Sequence, residues 1–142
     1  MNRTHAAPLT AVDQVEPTPG GVRAEKRVVA DDPYLAGHYP DFAIYPGVFT
    51  IESVHQAVRA MVSAERGDHA RAEIAAIVSV RLNAPLLPGD ALTVRADRVP
   101  SPDQDLVRVK AVCLRADDVV AARMTLDVRV TSDAPTTERG QA

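Results

Sequence analysis

Three residue types that can handle protons and developing negative charge stand within residues 37–56, which read GHYPDFAIYPGVFTIESVHQ. His38 lies in a loop bracketed by Gly37 and Pro40, residues that disfavour both helix and strand. Its imidazole is available as a free base near neutral pH. Gly47 follows Pro46 at the start of a predicted helix, where the backbone N–H groups lack partners and carry partial positive charge. With no side chain there, a ligand carbonyl can approach those groups, and donors so placed stabilise a developing oxyanion. Glu52 sits about one and a half turns further in, where partial desolvation of a carboxyl favours its neutral, acid form. Base, oxyanion donors and acid are the parts needed to take a proton from carbon and deliver one to a leaving oxygen.

Each part also has a plainer reading. His38 alone is a surface loop histidine, and Gly47 alone is helix-start chemistry. Glu52 with His55, Gln56 and Arg59 falls on one side of the predicted helix and reads as its wet face. It is the set, not any member, that points to catalysis.

The elements that must position this set follow from periodicity. A helix is expected over residues 46–64, with Ile51, Val54, Val58, Met61 and Val62 on one side at helical spacing. Pro46 suits the first helical turn, where a missing N–H costs nothing. In residues 91–99, Leu92, Val94 and Ala96 alternate with polar residues; in 105–115, Val107, Val109, Ala111 and Cys113 do so. In 119–130 the inward set is Val120, Ala122, Met124, Leu126, Val128 and Val130. A period of two with one apolar face marks antiparallel strands covered on one side. Residues 22–30 and 72–82 read as two less regular strands. One helix against about five antiparallel strands gives an α+β fold in which a curved sheet wraps the helix. The organisation expected is a flexible tail over residues 1–20, one domain over 21–130 and a second tail over 131–142.

With 142 residues, 46% hydrophobic and 25% charged, the chain has the composition of a soluble globular domain. A formal net charge of −3 offers no broad basic face for nucleic acid. Cys113, the sole cysteine, permits no internal disulfide and reads as a small buried hydrophobe; no thiolate metal site can be built. No run approaches the roughly 18 apolar residues of a membrane span, and no signal pattern opens the chain, so a cytoplasmic protein without membrane, metal or cofactor is expected.

The stretch GHYPDFAIYPGVFTIESVHQ resembles the signature of the hotdog-fold β-hydroxyacyl-acyl carrier protein dehydratases, roughly G-H-F-P-G-x-P-x-x-P-G-V-x-x-x-E-x-x-x-Q. Asp32-Pro33-Tyr34-Leu35 upstream and Ala84-Pro85-Leu86-Leu87-Pro88-Gly89-Asp90 downstream are similar to that family's D-P-F-L and R-P-V-x-P-G-D segments. The likeness runs from about residue 22 to 130. It implies a hotdog fold, with His38 as the base that removes the α-proton of a 3-hydroxyacyl thioester and Glu52 as the acid that protonates the departing hydroxyl. Gly47 would polarise the thioester carbonyl and Gln56 would support Glu52. Tyr39, Val48 and Phe49 are the candidate walls of the acyl tunnel. The resemblance also implies an acyl carrier protein as partner and a dimer, of two identical chains or with a paralogous hotdog subunit, whose sites each take His and Glu from different subunits. Arg59, Arg66 and Arg71 read first as a solvated arginine face and second as candidates for meeting an acidic carrier.

Four positions depart from the pattern. Asp41 replaces a glycine, Ala43 a proline, Tyr39 a phenylalanine, and His55 stands where alanine is common. They suggest a pocket reshaped for a polar or unsaturated chain, as in polyketide or polyene assembly. Two other readings stay open: an acyl thioesterase on the same fold, and a non-catalytic subunit that stabilises a paralogous dehydratase.

Overall fold

The computed structural model describes residues 10–29, 45–101 and 103–132. Along the chain run β1 (Gln14–Thr18), β2 (Gly21–Arg27), α1 (Gly47–Arg66), β3 (Ala70–Leu82), β4 (Ala91–Val99), β5 (Leu106–Arg115) and β6 (Val120–Ser132). The strands form one antiparallel sheet in the order β1-β2-β4-β5-β6-β3. α1 touches both edge strands, β1 and β3, as well as β2, β4 and β6. Six strands at about 4.8 Å spacing are far wider than a helix of about 10–12 Å, so contact with both edges requires the sheet to curl round it. This is the α+β hotdog fold.

The alternation seen in the sequence is the core. Leu92, Val94 and Ala96 of β4 face inward with Val109, Ala111 and Cys113 of β5 and Ala122, Met124, Leu126 and Val128 of β6. They meet Val54, Ala57, Val58, Met61 and Val62 of α1. Ile51, expected inside, is only half-buried, while Thr50, Ser53 and His55 are buried. Pro46 is the helix N-cap, its carbonyl accepting from the N–H of Phe49 at 2.9 Å and of Thr50 at 3.3 Å.

The N-terminal tail expected over residues 1–20 is not all tail. Residues 14–18 form β1, paired with β2 from Gln14↔Glu25 to Thr18↔Gly21, and Ala11 is fully buried. Five mostly exposed residues on an edge carry no alternation to read, and Pro17 is tolerated because an edge strand loses least from a missing N–H. Gly20, at φ 74°, closes the two-residue turn between the strands. At the other end β6 runs on to Ser132.

The far edge is unfinished. Rows of inward residues cross the sheet as Val22–Ala96–Ala111–Met124–Val80 and Ala24–Val94–Cys113–Ala122–Leu82. Every member is buried until the row reaches β3, where Val80 is 42% and Leu82 56% exposed. Ile77, paired with the buried Leu126, is 48% exposed.

Candidate functional site

Glu52 stands on α1 with its side chain 33% exposed, more open than a carboxyl sealed behind the sheet. Two residues of its own helix hold it. Gln56, one turn on, donates its amide Nε2–H to Glu52 Oε2 at 3.1 Å. His55 Nδ1 lies 3.0 Å from Glu52 Oε1. Gln56 is held in turn, because its Oε1 accepts the N–H of Ala11 at 3.0 Å, a contact from beyond β1. The expectation that His55 lies on a wet face is wrong. His55 is 8% exposed, and its Nε2 reaches the carbonyl oxygen of Ala72 on β3 at 2.8 Å. The helix face that carries Glu52 is roofed by β3 at His55, part-open at Glu52 and Gln56, and exposed at Arg59.

The start of α1 borders a different space. A cavity of about 250 Å³ is lined by Tyr45, Gly47, Thr50, Leu82, Pro85 and Leu86 among others. A Cβ on Gly47 would come within 2.4 Å of Leu82 Cδ1, so the glycine makes room for that side chain. Tyr45 is buried, meets Phe49 edge-on with ring centroids 5.5 Å apart, and its hydroxyl lies 3.0 Å from Ser53 Oγ. Val48, 64% exposed, and Phe49 do not line this cavity. A second, polar cavity of about 640 Å³ is bordered by Gln56, Arg59, Ala60, Arg71 and Glu73. Glu52 lines neither. Within one chain, then, Gly47 borders the first cavity and Glu52 borders neither. His38 and Tyr39, with Asp41 and Ala43, lie outside the described residues.

Elsewhere the charged pairs are structural. Asp127, buried on β6, accepts Arg108 Nε at 2.7 Å and Nη2 at 2.9 Å, and that bond to Arg108 holds its carboxyl below the usual carboxylate range against the cost of burial. Cys113 is buried in the core, and burial pushes its thiol up to about 12, far from a reactive thiolate. Among the described residues no helix is long and apolar enough to cross a membrane, and no group of three His, Cys, Asp or Glu side chains is placed to hold a metal.

The sequence profile of the ApeI-like family, described as ApeI dehydratase, matches residues 14–121, a span that includes both the helix and β1. The chain is a member of the ApeI-like dehydratase family. Among its relatives is a 3-hydroxyacyl-acyl-carrier-protein dehydratase FabZ of Polynucleobacter asymbioticus, 39% identical over 95 residues, covering 65% of this chain and 64% of that protein. The ApeI-like chain therefore spans somewhat less than two thirds of that relative's length. A FabZ of Polynucleobacter necessarius subsp. necessarius is 34% identical over 131 residues, covering 89% of this chain and 85% of its own. Solved structures share the hotdog fold at lower identity. The dehydratase heterocomplex ApeI:P from Xenorhabdus doucetiae aligns with a TM-score of 0.59 at 17% identity, over 87% of this chain and 99% of that one. A hypothetical thioesterase protein with coenzyme A from Streptococcus pneumoniae aligns with a TM-score of 0.64 at 14% identity, over 84% of this chain and 88% of that one.

The residue that sequence reasoning misassigned is His55. Its departure from the family pattern was the available signal; that β3 covers it was not.

Proposed function

We propose that this ApeI-like chain eliminates water from a 3-hydroxyacyl thioester carried on acyl carrier protein, giving the trans-2-enoyl thioester. The observation that carries the reading is the held carboxyl of Glu52, bonded to Gln56 and His55 yet open on one side. A general acid needs that combination: a fixed direction and an approach for the leaving oxygen. His38, from the loop motif, is the base for the α-proton, and the N–H at Gly47 polarises the thioester carbonyl. As the Cα–H bond breaks, its electron pair forms the double bond, the C–O bond releases its pair to oxygen, and that oxygen takes the acid's proton. Fatty-acid assembly fits the FabZ relatives; the departures at Tyr39, Asp41, Ala43 and His55 fit a specialised polyketide or polyene chain.

A dimer belongs to this reading. Val80, Leu82 and Ile77 continue buried rows of the core into solvent on the edge strand β3. A long edge with an apolar inner face is a site for pairing with another sheet. A second hotdog chain placed there would pair along β3, the strand whose Ala72 carbonyl meets His55 beside Glu52. The partner is a second copy or, as a second reading favoured by the heterocomplex neighbour, a paralogous subunit that this chain supports.

The test is a panel of carrier-bound 3-hydroxyacyl thioesters of graded length and unsaturation, followed by mass spectrometry for loss of water. His38→Ala and Glu52→Gln should each lower turnover by about 10²-fold or more while the protein stays folded. Near-normal rates in either folded variant refute the roles, and release of free thiol without enoyl product supports a thioesterase instead.

A further inference from the structure

His55 is a buried titratable side chain that the proposed reaction uses only to hold Glu52, and its two ring nitrogens have partners of known polarity. The carbonyl of Ala72 can only accept, so Nε2, 2.8 Å away, carries a hydrogen. Nδ1 faces Glu52 Oε1 at 3.0 Å. Were the ring neutral and the carboxylate ionised, that contact would set lone pair against lone pair. It is a hydrogen bond only when one proton lies between the two atoms, on the acid or on the ring. The other carboxyl oxygen is already assigned. Ala11 N–H can only donate, so it fixes Gln56 with its amide oxygen toward Ala11 and its nitrogen toward Glu52. Oε2 is therefore an acceptor, and the proton belongs on the Oε1 side.

We propose that His55 is a positioning residue that holds one proton jointly with Glu52, and that this shared proton is the one the departing hydroxyl takes; the proposal rests on the dehydration reading above. Before reaction the pair carries one proton and no net charge. The proton passes from Oε1 to the leaving oxygen, water departs, and the pair is left as carboxylate with neutral imidazole. A proton from solvent restores it. The surrounding charges are Glu52 on α1, Glu73 on β3, whose Oε1 is 3.9 Å from Nε2, and Arg59 and Arg71, which border the polar cavity beside Gln56.

Two measurements test this. In wild-type protein labelled with ¹⁵N-histidine, NMR should find the His55 Nε2 protonated throughout the range where the protein is folded, and the Nδ1 signal should change in Glu52→Gln. A neutral His55 with its hydrogen on Nδ1 and a bare Nε2 overturns the proposal, whether or not any variant folds. In the kinetics, His55→Gln should move the alkaline limb of kcat to lower pH by about one unit or more, with KM within about twofold. An unchanged limb in a folded variant also overturns it. Should the wild type dehydrate nothing, the dehydration reading fails, and the NMR result still decides whether the shared proton exists.

Discussion

Replacing Ile77 and Val80 together by alanine should dissociate the proposed dimer while leaving the chain folded. In the single chain these side chains are 48% and 42% exposed, so about half of each remains to be covered by a partner. Fully burying an Ile or Val side chain contributes about 1.5–3 kcal/mol, so the remaining half is worth about 1 kcal/mol apiece. A two-fold interface counts each residue twice, and four truncated side chains remove about 3–4 kcal/mol. At about 1.4 kcal/mol per decade, the dissociation constant should rise by two to three powers of ten. The cost to the fold of one chain is the half of each side chain already buried in it, about 1 kcal/mol apiece. Sedimentation over a concentration series reads the association, and circular dichroism reads the fold. Activity should fall in step with the loss of dimer if each site draws on two chains. The reasoning fails if wild type and variant associate with the same constant, or if a monomeric wild type is fully active.

The other predictions concern the core and its buried groups. Met61, 1% exposed, fills the space between α1 and the sheet, so Met61→Ala should destabilise by about 2–5 kcal/mol in urea unfolding, and a loss under 1 kcal/mol would argue against tight packing there. With its thiol pushed up to about 12 by burial, Cys113 should resist an alkylating reagent at about pH 8 until denaturant is added; labelling of the folded protein at a free-thiol rate would contradict the burial. Asp127 is held low by its bond to Arg108, so its contribution is complete above the ordinary carboxylate range and is lost as pH falls through the lowered value. Unfolding midpoints of wild type should therefore fall more steeply below about pH 4 than those of Arg108→Gln, and parallel curves would remove Asp127 from the account.

Much of the fold was legible because strict alternation in β4, β5 and β6 has one physical outcome when a single face is covered: Leu92, Val94 and Ala96 go inward together with Val109 and Leu126. The helix was legible for the same reason, since its apolar residues recur at helical spacing, and its ends came within two residues of Gly47–Arg66. β1 was not legible. A short edge strand half-clad in solvent has no pattern to display, and its pairing with β2 depends on a turn at Gly20 that composition alone reads as loose chain. β3 was irregular in the sequence because its register slips between Ile74 and Ala76 and again between Ile77 and Ser79, which interrupts the alternation.

The sequence by itself determined the amphipathic helix and the inward rows of the sheet, because each depends on residue type and local period alone. Only the tertiary structure decided that His55 is buried, that Ala11 fixes the amide of Gln56, and that the cavity at Gly47 does not reach Glu52 in one chain. Helical period puts Glu52, His55, Gln56 and Arg59 on one face but is silent about what covers that face. The cover is the Ala72 carbonyl, seventeen positions from His55, and the N–H of Ala11, forty-five from Gln56. Contacts of that separation arise from how the sheet curls round α1, which no local pattern encodes.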